Sequence, residues 1–234
     1  MKKGILAVIP ARGGSKRIPH KNIKLFIDKP IIAYVLEAAQ KSKLFDRVIV
    51  TTDDPKIARV VEKFGGEVPF IRESKLADDI TPVSSATLDA LERVDSDDEK
   101  FNIIAQLMPN CPLISPEDIL NSYQQFIETD SDSQISVTKY AWMNPWWAMK
   151  RDDNYHLKPI FEKEMTSRSQ DLPELFCPTG VIWWAKTEVL RREKTFHIPT
   201  RTGWVIPWER SIDIDTNDDW KMAEILMKLK MGGQ

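Results

Sequence analysis

The feature that most constrains the fold is a short apolar, β-rich run, Ile5 to Ile9, stopped by Pro10 and followed at once by a cationic loop. Such a run reads as a buried strand. The loop carries Arg12, Lys16, Arg17 and Lys21 around Gly13 and Gly14, on a chain whose formal net charge is −2. A strand that feeds a loop of this kind places a ligand at its carboxyl end, as open α/β sheets do. Glycines let a backbone approach an anion closely, and successive N–H groups form an anion-binding nest. The spacing matches neither familiar glycine-rich pattern. Gly13-Gly14-Ser15-Lys16 does not supply G-x-x-x-x-G-K-[ST], and G-x-G-x-x-G is absent.

The rest of the chain alternates strands and helices. A helix is expected from Pro30, with Ile31, Tyr34, Val35 and Ala38 on one face. Arg47 to Thr52 reads as a strand. Asp54 is then an N-cap and Pro55 a first helical residue, before a helix that ends at Gly65-Gly66. Further strands are expected at Glu67 to Ile71, Asn102 to Met108, Gln134 to Lys139, Val181 to Ala185 and Ser211 to Asp215. Helices are expected at Thr87 to Val94, Pro116 to Phe126 and from a Thr216 cap through Leu229. This order implies an α/β fold: a three-layer, doubly wound, mostly parallel sheet with helices on both faces. A single domain, 1–234, fits the length.

The texture changes after Tyr140. All eight tryptophans lie beyond it, starting with Trp142, Trp146 and Trp147, and residues 140–180 lack periodicity. Two readings stand: an inserted lobe that packs on a partner subunit, or core filling beside the sheet.

Charge and composition exclude several classes. With 33 basic and 35 acidic residues, no overall field attracts nucleic acid. No apolar stretch approaches the ~20 residues that span a bilayer, so no membrane association is expected. The apolar start is broken too early by Pro10 and Arg12 to be a secretory leader. Cys111 and Cys177 are too few and too far apart for a disulfide framework or a zinc site. A cytoplasmic protein with reduced thiols is expected.

Val8-Ile-Pro-Ala-Arg-Gly-Gly-Ser-Lys-Arg-Ile-Pro-His-Lys-Asn22 resembles the signature of the acylneuraminate cytidylyltransferases, the CMP-sialic acid synthetases and their legionaminate and pseudaminate relatives. The likeness continues through Phe45 to Asp54, Leu76-Ala-Asp-Asp79, Gln170-Asp-Leu-Pro173 and Ser211-Ile-Asp-Ile-Asp-Thr216, and so covers nearly the whole chain. It implies a nucleotide-diphospho-sugar transferase-like fold with a small dimerisation lobe near 140–180. It also implies a homodimer, and a reaction in which CTP and a 2-keto sugar acid give a CMP-sugar and pyrophosphate. By the family pattern Arg12 and Lys21 contact phosphates, Gly13, Gly14, Ser15 and Asn22 help hold the nucleotide, and Arg72 lies near cytosine and ribose.

Asp213 and Asp215 also carry a physical argument of their own. Residues two apart on a strand share a side, so both carboxylates can reach one Mg²⁺, a cation that favours oxygen ligands. The sequence departs from its relatives in the acceptor half. Met108 stands where they have glutamine, Ile114 where they have arginine, and Cys177-Pro-Thr-Gly180 where they have Arg-Pro-Asn-Gly. Arg168 and Gln170 are left as partners for a sugar carboxylate, with Trp183 or Trp184 as a stacking face. Gln106 reads as a hydrogen-bonded core residue. The alternatives are a sugar-1-phosphate nucleotidyltransferase and a non-catalytic nucleotide or sugar-acid binding protein.

Overall fold

A computed structural model of the protein describes residues 4–97, 100–140 and 143–232. Six strands form one sheet: β1 (Gly4–Pro10), β2 (Arg47–Thr51), β3 (Phe101–Leu107), β4 (Ser133–Lys139), β5 (Phe176–Lys186) and β6 (Thr202–Val205). Their order across the sheet is β6-β4-β5-β3-β1-β2. Pairs β1–β2, β1–β3 and β6–β4 are parallel, whereas β5 runs antiparallel to both its neighbours. The reason lies in the connection. Lys139 pairs with Phe176 at one end and Ser133 with Ala185 at the other, so β4 and β5 form a long hairpin. The intervening chain is its loop, and a strand that returns from the end where its neighbour left must run backwards.

Alternation along β1 sorts the core into two layers. Ala7 and Ile9 face α1 (Ile31–Ser42) and join Val35, Leu36, Ile103, Leu107 and Trp184. Leu6 and Val8 face α3 (Val83–Val94) and join Ala90, Leu91 and Ile104. With the sheet between them these make three layers. A third cluster joins Ile18 and Phe26 of the cationic loop region to Ile214 and to Trp220, Ala223 and Met227 of α6 (Asn217–Gly232). That cluster ties the loop after β1 to the end of the chain.

Local chemistry sets the helix starts. In α2 (Pro55–Lys63) the Asp54 carboxylate accepts from Lys56 N at 2.7 Å, and Gly65 leaves the helix at φ 74°. α4 (Pro116–Glu128) opens on a capping box between Ser115 and Asp118. At α6, Thr216 and Asp219 exchange the equivalent pair of bonds at 2.7 and 3.2 Å.

Four expectations need correction. Glu67 to Ile71 is no strand: only single bridges, Ile49–Glu67 and Thr52–Ile71, touch β2. Ser211 to Asp215 joins no ladder: Ser211 has φ −88° and ψ 0°, and the Ile214 amide bonds the loop carbonyl of Asn110. α3 begins at Val83 rather than Thr87. The stretch 140–180 is not all irregular, because Phe176 to Gly180 belong to β5. The sequence reading also missed β6 and the seven-residue α5 (Thr187–Glu193). Both are too short for periodicity to register.

The lobe holds a small hairpin, Met149–Arg151 against Leu157–Pro159. Trp146 packs edge-on to Phe161 and donates Nε1–H to the Pro173 carbonyl. The tryptophans divide between lobe and core. Trp184, Trp204 and Trp220 are buried, Trp147 and Trp208 are exposed, and Trp142 lies outside the described residues. Trp184 stacks between Phe45 and Phe126 and donates to Ser122 Oγ at 3.0 Å.

Candidate active site

Because β1 sits between β2 and β3, the connections leaving β1 and β3 diverge at their carboxyl ends and open a crevice. A cleft of about 320 Å³ lies there. Its walls include Arg12, Ser15, Lys16, Arg17, Lys21 and Asn22 from the loop after β1, and Arg72 and Asp79 from the segment before α3. Met108 and Asn110 follow β3, and Asp213 and Asp215 complete it.

The loop is held from below. Asn22 is buried and donates Nδ2–H to the Arg12 carbonyl at 2.9 Å. His20 adopts φ 53°, turning the chain so that Lys21 points inward. Lys21 Nζ then donates to the Ile214 carbonyl at 2.6 Å and to Asp215 Oδ1 at 2.9 Å. Gly13 is a packing requirement, since a Cβ there would stand 2.8 Å from Asp54 Cβ, whereas the space beside Gly14 is open. The Gly13 N–H donates to Asp53 Oδ1 and that of Ser15 to the Gly13 carbonyl. Two amides of the expected nest are therefore engaged, and the side chains carry the positive potential.

All four loop cations face carboxylates. Asp79 bridges Arg12 at 2.9 Å and Lys16 at 2.5 Å. Asp215 bridges Arg17 at 2.7 Å and Lys21 at 2.9 Å. Arg12 also donates to the Asp78 carbonyl at 2.6 Å. Arg72 is buried, bonds the Thr51 carbonyl at 3.2 Å and stands 3.9 Å from Asp53. Its Nε is among three buried side-chain atoms in the cleft wall without a partner, with Asn22 Oδ1 and Asn110 Oδ1.

Asp213 and Asp215 reach the cleft without a strand to align them. Ile214 between them is buried in the third cluster, while Asp213 and Asp215 both line the cleft. Their protonation equilibria diverge. Burial, and then the charge of Asp215, push Asp213 up to about 6. Burial acts the same way on Asp215, but Lys21 and Arg17 outweigh it and hold that carboxyl below its ordinary value. Asp213 needs Gly180 opposite, because a Cβ there would lie 2.7 Å from Asp213 Oδ2 and 3.0 Å from Met108 Cγ. Among the described residues no three His, Cys, Asp or Glu side chains gather into a metal cage. Two carboxylates suit Mg²⁺, which keeps several waters and takes phosphate oxygens as further ligands.

The acceptor half is corrected in several places. Arg168 and Gln170 do not line the cleft of this chain; both are exposed, and Arg168 pairs with Asp171 at 2.8 Å. Neither tryptophan offers a face there: Trp184 is core, and Trp183 packs against Phe196 and His197. Of the three departures only Met108 reaches the cleft, because Ile114 is core and Cys177 lies on β5 beside Pro178. Gln106 is the core residue expected, accepting from Thr87 Oγ1 at 2.6 Å. The sequence reading missed Asp79 and Asn110. Asn110 stood in plain view two residues beyond Met108, at the carboxyl end of β3.

The comparisons agree with this geometry. The family model described as Cytidylyltransferase matches residues 6–164. The chain is 33% identical to the pseudaminic acid cytidylyltransferase of Campylobacter jejuni (strain 81-176) over 224 residues, 96% of each chain. It is 34% identical to the CMP-N,N'-diacetyllegionaminic acid synthase of Legionella pneumophila over 227 residues, 96% of this chain and 97% of that one. In fold it is similar to a CMP:2-keto-3-deoxy-manno-octonic acid synthetase solved with CTP. The TM-score is 0.73 at 18% identity, over 98% of this chain and 100% of that one. A family model that matches two thirds of the chain, with relatives about a third identical over nearly its whole length, makes this protein a nucleotidyltransferase of the cytidylyltransferase family.

Proposed function

We propose that this enzyme transfers the cytidylyl group of CTP to a 2-keto sugar acid of the nonulosonic class. The observation that carries the reading is the pairing, in one cleft, of four loop cations with two carboxylates. The relatives are named for pseudaminic, legionaminic and acylneuraminic acids. The anomeric hydroxyl oxygen bonds the α-phosphorus and gives its proton to water, the α–β phosphoanhydride bond breaks, and pyrophosphate leaves with its electron pair. Arg12 and Lys21 hold the phosphates and offset the charge on the leaving group. Gly13, Gly14, Ser15, Asn22 and Arg72 bind and orient the nucleotide. Asp213 and Asp215 would hold Mg²⁺, which when bound would offset phosphate charge.

Pyrophosphate release, measured with Mg²⁺, CTP and a panel of 2-keto sugar acids and repeated with ATP, GTP and UTP, tests the reading. Release with CTP and one acid is expected. Release only with a hexose 1-phosphate would transfer the enzyme to the sugar-1-phosphate class.

The chain between β4 and β5 exposes Met143, Tyr155, Leu157 and Ile160, and large apolar side chains left exposed suit an interface. We place a homodimer contact there, and in that assembly the sugar-carboxylate contacts of Arg168 and Gln170. Sedimentation equilibrium is expected to give twice the chain mass, and Leu157→Glu to give a monomer. A monomer from the unaltered chain would end the idea. A cytoplasmic location matches the supply of CTP, and cell fractionation checks it. Among the described residues no helix is long and apolar enough to cross a membrane.

A further inference from the structure

We infer that Asn110 is the positioning residue of the acidic pair, clamping the strandless segment 213–215 to the carboxyl end of β3. This rests on the assignment of Asp213 and Asp215 as metal ligands. Segment 211–216 has no ladder to align it, so its placement depends on individual bonds. Three come from Asn110. Its carbonyl accepts from Ile214 N at 3.1 Å, and its Nδ2 donates to the Ile214 carbonyl at 3.0 Å and also to Asp213 Oδ1.

The amide orientation is not open to a flip. Both partners of Nδ2 are acceptors, so the nitrogen must face them. Oδ1 is then left buried in the cleft wall without a partner, at a cost in free energy. An apolar side chain would pack there without that cost. What the amide adds is its donor end, aimed at a carboxylate and at the carbonyl beside it. Lys21 secures the same carbonyl from the other side. Asn110 therefore acts on Asp213, and Lys21 on Asp215. Groups that orient a metal's carboxylates in this way set its affinity without touching it.

Hydrogen–deuterium exchange on the metal-free protein, together with Mn²⁺ titration followed by water-proton relaxation, tests the inference without turnover. In Asn110→Ala, exchange at the Ile214 amide should accelerate at least about tenfold while β1 and β3 stay protected. Mn²⁺ affinity should fall about ten- to a hundredfold. The backbone bond survives in both variants; Asn110→Thr, which also keeps one side-chain donor, should fall between the two and serves if the alanine variant is poorly folded. Unchanged exchange at Ile214 in both variants would overturn the clamp. Faster exchange with unchanged Mn²⁺ affinity would overturn its role toward the metal. If the unaltered chain takes up no Mn²⁺ that Asp215→Asn removes, the metal assignment fails, and with it the role given to Asn110.

Discussion

Asp213→Asn is expected to melt at a higher temperature than the unaltered protein at pH 7.5 in EDTA, while releasing pyrophosphate at least about 10²-fold more slowly. Both effects have one origin. Asp213 titrates near 6 instead of 3.8, because burial and the charge of Asp215 disfavour its ionised form. The folded chain therefore binds this proton more tightly than the unfolded chain. Stability from this group is complete below pH 3.8, falls as pH rises and is lost above about 6. At pH 7.5 the buried charge costs on the order of 2–3 kcal/mol. The neutral amide removes that cost, and Asn110 can still donate to its oxygen. A gain of roughly 5 °C follows for a chain of this size. The difference between the two proteins should vanish near pH 4. Without its carboxylate the position loses its hold on Mg²⁺, hence the slower turnover. An unchanged melting temperature at pH 7.5 would refute the burial argument, and unchanged turnover would refute the metal assignment.

Arg12→Ala should lower pyrophosphate release by about 10²–10³-fold, the usual result of removing one preorganised group that stabilises developing charge. Stability should change by less than about 1 kcal/mol. The Arg12 ion pair with Asp79 is over a third exposed on both sides, and Asn22 binds the Arg12 carbonyl rather than its side chain. A circular dichroism melt beside the turnover assay separates the two effects. Turnover within a few-fold of normal would remove Arg12 from the phosphate site. Free of ligand, Asp79 offsets half the charge of Arg12 and Lys16, and Asp215 half that of Arg17 and Lys21. A triphosphate thus exchanges one set of anionic partners for another.

Much of this site was legible in the chain itself. Charge density after a buried strand marks an anion site whatever the fold around it, so the cations Arg12 and Lys21 could be read by spacing, whereas Ser15 and Asn22 came from the resemblance. Arg72 came from the resemblance. Asp213 and Asp215 were named by a rule for strands, and the segment that carries them is not a strand. Ile214 between them supplies the burial that a ladder would otherwise enforce. Arg168 and Gln170 were placed by motif alone, and within one chain the motif lies outside the cleft.

What the sequence by itself determined are features written in neighbouring residues. They include the β1 strand, the Asp54-Pro55 helix start, the alternation of strands and helices, and the cations of the phosphate loop. Each depends on local sterics, capping or charge, which act over a few positions. What only the tertiary structure decided depends on chain that returns from far away. β5 is antiparallel because the lobe brings the chain back to the end where β4 left it. Asn110 faces Asp213 across 103 positions, and Lys21 reaches Asp215 across 194. No periodicity or spacing encodes those pairings. They arise when the sheet places the carboxyl end of β3 beside the segment that leads into α6.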